Sequence, residues 1–197
     1  MMNNERRGFP WERLIPPLIL LVLIGVGLYY GVILQSRKEG NERDANRALH
    51  ELSAAEADFR ANDRDANGVQ DFWTSDVAGL YRFGLIDRRI AEADAKPMTP
   101  LVPKPLPFNG YHFEALALDA SVAPPEPYAQ DTDKKSGKVH HPTKFAFVAY
   151  PAKPGRTGRY IFIINENHSV FRVTVDAMPT PKNWPSDLQL GNWGKAF

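Results

Sequence analysis

The chain contains no cysteine. That excludes disulfides, a thiolate nucleophile and any cysteine-ligated metal centre. It also lacks charge of one sign. Lys and Arg number 24 against 23 Asp and Glu, a formal net charge of +1, which gives no electrostatic handle for nucleic acid. No Gly-x-Ser-x-Gly, no phosphate-cradling glycine loop and no His-Glu-x-x-His occurs, so the familiar signatures of hydrolases, nucleotide binders and zinc proteases are missing. Histidines number only five. The adjacent pair His140-His141 reads as part of a solvated loop, because neighbours in sequence rarely close a metal shell. These absences predict a protein that is not an enzyme and takes no small-molecule substrate.

What the chain does have is one long apolar run. Leu14 to Leu34 carries no charged side chain, and about 20 apolar residues are what a helix needs to cross a hydrocarbon core roughly 30 Å thick. Pro16 and Pro17 suit its first turn, where a missing N–H costs little. A cleaved signal peptide has a shorter apolar region and ends in a small-x-small site. Here the run leads into Gln35-Ser36-Arg37-Lys38. The expectation is an uncleaved transmembrane helix at 14–34 behind a short cytoplasmic tail, 1–13, in a bacterial inner (cytoplasmic) membrane. Basic residues flank both ends, so the brevity of the tail decides the orientation: N-terminus inside, the remainder periplasmic. Gly25, Gly27 and Gly31 offer small surfaces for a partner's transmembrane helix, with Gly27 and Gly31 at small-xxx-small spacing.

After a polar stretch read as a linker, 35–41, Asn41 is placed to cap a second helix. Ala45, Ala48, Leu49, Leu52, Ala55 and Phe59 recur at helical spacing, with Glu51, Glu56, Asp58 and Arg60 on the other side. This predicts an amphipathic helix from about Glu42 to Ala61. Asp76 or Ser75 is placed to start a short helix through Tyr81, and Asp87 another through Ala95. Lys96 to Pro107, with five prolines, is an extended strap. Strands are predicted at Tyr111 to Leu118, Lys144 to Tyr150, Tyr160 to Asn165 and Ser169 to Val175. Short turns between the last three favour an antiparallel meander. Between the first two lies a long polar loop, Asp119 to Thr143; a ligand pocket beneath it would point to an enzyme or binding module instead. The tail, with Trp184 and Trp193, is expected to wrap the sheet. The whole is an α+β domain over 42–197.

One local motif carries metal chemistry. Asp63-x-Asp65-x-Asn67-Gly68-x-x-Asp71 alternates oxygen donors and puts glycine sixth, the pattern of a calcium loop. Side chains of Asp63, Asp65, Asn67 and Asp71 and the Val69 carbonyl would hold a structural Ca2+. The twelfth position is Thr74 rather than glutamate. The same residues also suit a metal-free turn closing the preceding helix.

The order of elements, apolar helix, amphipathic helix, small antiparallel sheet, resembles type IV pilins and type II secretion pseudopilins. Gly110-Tyr-His-Phe, Phe145-Ala-Phe-Val-Ala-Tyr-Pro151 and Gly158-Arg-Tyr-Ile-Phe-Ile-Ile-Asn-Glu166 are similar to stretches of uncharacterised pilin-like bacterial exported proteins. The resemblance covers about residues 42–175. It implies a domain that works by protein–protein contact, as a structural subunit beside other subunits of a membrane complex, or else as a minor pseudopilin. The chain departs from the pilin processing pattern at Gly8-Phe9-Pro10-Trp11-Glu12: glutamate falls fourth after the glycine instead of fifth.

Overall fold

The computed structural model describes residues 15–98, 100, 102 and 104–196, with side chains from Ile19 onward. The expectations for 1–13 and for the processing motif lie outside the described residues. The chain divides into two compact units, Met1–Arg37 and Lys38–Phe197.

Helix α1 spans Ile15–Asn62. The predicted linker at 35–41 is therefore helical. Gln35, Arg37, Lys38 and Glu39 are good helix formers whatever their polarity, and Asn41 is not a cap: its amide donates to the Thr157 carbonyl (2.9 Å). Next to it, Glu42 accepts from the Arg159 backbone N–H (2.8 Å) and guanidinium (2.9 and 3.1 Å). Long-range bonds within the chain thus occupy the turn that local composition marks as a break. In the first unit, Leu28 is 68 % and Val32 69 % exposed.

The second unit is built on a five-stranded antiparallel sheet, ordered β2 (Tyr111–Ala115), β6 (Ala146–Pro151), β7 (Tyr160–Asn165), β8 (Phe171–Thr174) and β9 (Gly194–Lys195). Between Asn62 and β2 come β1 (Phe72–Trp73), α2 (Ala78–Arg82) and α3 (Arg88–Ala91). Asp87 caps α3 by accepting from the Arg89 N–H (2.7 Å). Alternation along the central strands sends residues to both faces. Phe147, Ala149, Phe162 and Ile164 pack with Ala45, Ala48, Leu49, Leu52 and Phe59 of α1. Ala146, Val148, Ile161 and Ile163 pack with Tyr128, Trp184 and Trp193. The tail therefore covers the face that α1 leaves.

The segment 119–143 is not an unstructured loop. Its β4 (Glu126–Pro127) pairs with β3 (Leu118–Asp119), and its β5 (His140–His141) pairs with β1.

Candidate functional site: a buried acid–histidine cluster

At the C-terminus of α1 the Arg64 N–H reaches back to the Phe59 carbonyl (3.2 Å), while Asp63 adopts a left-handed φ of 45°. This is the six-to-one closure of a Schellman turn. The Asp63 carboxylate then accepts from the backbone N–H groups of Asn67 (3.1 Å) and Gly68 (3.0 Å). Asn67 Oδ1 accepts from the Val69 N–H (2.7 Å). Of the five positions expected to ligate calcium, Asp63 and Asn67 thus turn onto the loop's own backbone. Asp65 and Asp71 go elsewhere, into the protein.

They meet His140. Its ring is fully buried, with Nε2 3.1 Å from Asp65 Oδ2 and Nδ1 3.9 Å from Asp71 Oδ2. Asp71 also accepts from the Thr132 hydroxyl, and Asp65 Oδ2 from the Asn67 amide (3.0 Å). Phe59 stacks on the imidazole at 6.0 Å, and Trp73 meets it edge-on at 5.4 Å. Beside Trp73, α1 contributes Glu56, fully buried, whose Oε2 accepts from the Trp73 N–H (2.9 Å). The indole is held in turn by Asp76, and it lies so close to Gly79 that a Cβ there would fall 2.2 Å from Nε1.

Five buried polar atoms of this cluster have no hydrogen-bond partner among the described residues: Glu56 Oε1, Asp65 Oδ1, Asp71 Oδ1 and both nitrogens of His140. Burial without compensation disfavours the charged forms. Burial pushes Glu56 well above the usual carboxylate range, with the negative Asp71 adding to the push and the Trp73 N–H opposing it. Burial likewise raises Asp65, against the attraction of His140. Among the described residues no group of three or more His, Asp or Glu is placed to hold a metal ion.

His141 points the other way and is fully satisfied. Its Nδ1 accepts from the backbone N–H groups of Thr143 (3.1 Å) and Lys144 (2.9 Å). This fixes the proton on Nε2, which faces Glu126 at 3.3 Å. Lys144 Nζ bridges Asp119 and Glu126, both at 2.9 Å. Burial works to raise Asp119, but bonds from Lys144 and Ser121 outweigh it and hold the carboxyl low. The Lys144 bond holds Glu126 low as well.

Two placements correct the sequence reading. His140 and His141 are buried strand residues, not solvated loop: paired opposite Trp73 and Phe72, neighbours on a strand must face opposite sides. Glu56 belongs to the buried face of α1. Leu49, Leu52, Glu56 and Phe59 share one stripe at three- and four-residue steps, and that spacing was the available signal.

Residues 31–178 match the family described as Protein of unknown function (DUF2950). The chain belongs to this family. The stretch that matches the DUF2950 family includes Glu56, Asp65, Asp71 and His140 and stops before Trp184 and Trp193. No curated protein and no solved structure matches the chain.

Proposed function

We propose that this DUF2950 member is a single-pass membrane protein without catalytic activity, whose pilin-like α+β domain acts by contact as an accessory subunit of a larger membrane assembly. The observation that carries the reading is the apolar half of α1. Among the described residues it is the one helix long and apolar enough to cross a bilayer, and none of its apolar window is buried in the protein. Each large aliphatic side chain left in water forgoes roughly 1.5–3 kcal/mol, so a row of them calls for lipid or a partner's helices. Gly25, Gly27 and Gly31 have nothing within 4 Å of an added Cβ, which leaves room for such a helix. The layout of helix and meander supports the pilin-like part, and the proposal places the helix in an inner membrane with the domain in the periplasm. A minor pseudopilin is the alternative, and it requires cleavage after Gly8.

Carbonate washing of native membranes, followed by affinity purification in mild detergent, tests this. Retention in the washed membrane with a defined co-purifying membrane protein is the expected result. Release into the soluble fraction, or a monomer with no partner, overturns it. Mass spectrometry of the mature N-terminus separates the pseudopilin reading.

A further inference from the structure

A groove of about 580 Å³ runs along the second unit between α1, β1 and the β7–β8 turn, lined by Arg60, Gln70, Phe72, Thr143, Glu166 and His168 among others. Its size falls within the range of small-molecule sites. Arg60 lies 5.1 Å over the Phe72 ring, and its Nε donates to the Gln70 carbonyl (3.3 Å). This sets the guanidinium plane while the two terminal nitrogens have no partner among the described residues. His168 sits at φ 57°, a left-handed conformation uncommon for a residue with a side chain. The buried Ser53 hydroxyl holds its Nδ1, and Nε2 has no partner among the described residues. Strained residues of this kind gather where a side chain must be aimed. Glu166 is the one acid in the lining. Its Oε2 is buried without a partner among the described residues, and burial raises its carboxyl from the ordinary value. The groove thus presents a pre-set guanidinium, an aimed imidazole and an aromatic wall.

We propose that this groove binds a small oxyanion, phosphate or carboxylate, carried on an apolar group: Arg60 grips the oxygens as a fork, His168 Nε2 donates to them, and Phe72 with Ala57 and Ala61 receives the apolar part. A forked guanidinium suits both anions. The inference is independent of whether the chain spans a membrane.

Isothermal titration of the full chain in nonionic detergent tests it, with inorganic phosphate, phenyl phosphate and benzoate as probes. Phenyl phosphate is expected to bind saturably and about tenfold more tightly than inorganic phosphate, the increment of roughly one buried apolar contact. Arg60→Gln should weaken it by at least about tenfold, as for a lost charge-assisted pair. His168→Asn, which tolerates the left-handed backbone, should weaken it severalfold, and Arg64→Gln, a control outside the groove lining and paired with Asp58, should not change it. Doping the micelles with phosphatidic acid identifies the source: displacement of phenyl phosphate from the native chain assigns the oxyanion to a lipid headgroup, and undisturbed binding assigns it to a soluble ligand. Absence of saturable binding by all three probes, or Arg60→Gln binding as tightly as the native chain, overturns the proposal.

Discussion

His140 and His141 are neighbours in the chain and opposites in surroundings. His141 accepts two backbone N–H groups, faces Glu126, and sits beside a lysine that bridges two carboxylates. His140 faces Asp65 and Asp71 with no formed hydrogen bond on either nitrogen among the described residues, near Glu56, a carboxyl that burial drives toward its neutral form. Two-residue periodicity separates the pair, and the fold then treats the two sides differently. One side is compensated by a cation and by backbone donors. On the other, each carboxyl has one oxygen paired and one left without a donor among the described residues. A polar network of the first kind stabilises when intact; one of the second kind is held in place by its surroundings.

The comparison breaks most visibly at Lys144. Replacing it with methionine leaves Asp119 and Glu126 facing each other without their cation. Lys144→Met should cost about 2 kcal/mol, between the values for exposed and for buried pairs because Lys144 and Glu126 are partly exposed, read as a lowered denaturation midpoint. On the other side the sign reverses. Glu56→Gln keeps an oxygen for the Trp73 N–H and removes the need to bury a charge, so stability at neutral pH should rise by about 1 kcal/mol. A loss of similar size would show that Glu56 is already partnered.

The pH dependence follows the same division. Glu56 and Asp65 are raised in the folded state, so there the native chain binds more protons than the unfolded one. Asp94 joins them: burial pushes it up to about 6, although it accepts from the N–H groups of Ala78 and Lys96. Their contribution is complete below the ordinary values of 3.8 and 4.5 and is lost as pH rises through the folded values. Asp119 and Glu126 are lowered and act oppositely, their contribution vanishing as pH falls below those ordinary values. Chemical denaturation between acid and alkaline pH should therefore show two opposed limbs, with Glu56→Gln flattening the alkaline one and Lys144→Met the acid one. Calcium produces the smallest effect. With the Asp63 and Asn67 oxygens engaged by backbone N–H groups, the thermal midpoint should be the same in calcium and in chelator; a rise of several degrees would establish the loop as a calcium site.

Much of this architecture was legible in the residues. The apolar run, the stripe from Ala45 to Phe59 and the strand Tyr160–Asn165 are strong single-period signals, and each element appears where its period places it. The Asp-Asn-Gly segment was legible as a loop, though not where its carboxylates point, because that depends on which side chains lie opposite. Gln35–Gly40 looked like a break because polarity was read in place of helix propensity. Glu56 and His140 were hidden for one shared reason. Polar residues on a buried face contradict the hydrophobic pattern that locates the face, and only the pairing of β1 with β5, far apart in sequence, brings them together.

Gly79 and Trp73 occupy a single slot, since a methyl group at 79 would lie inside the indole. Position 79 cannot gain a side chain while the indole stays. Among relatives, a side chain at the equivalent of 79 should be found only where the tryptophan has given way to something smaller, and such paired exchanges would trace, from sequences alone, which lineages have rebuilt the wall of the histidine chamber.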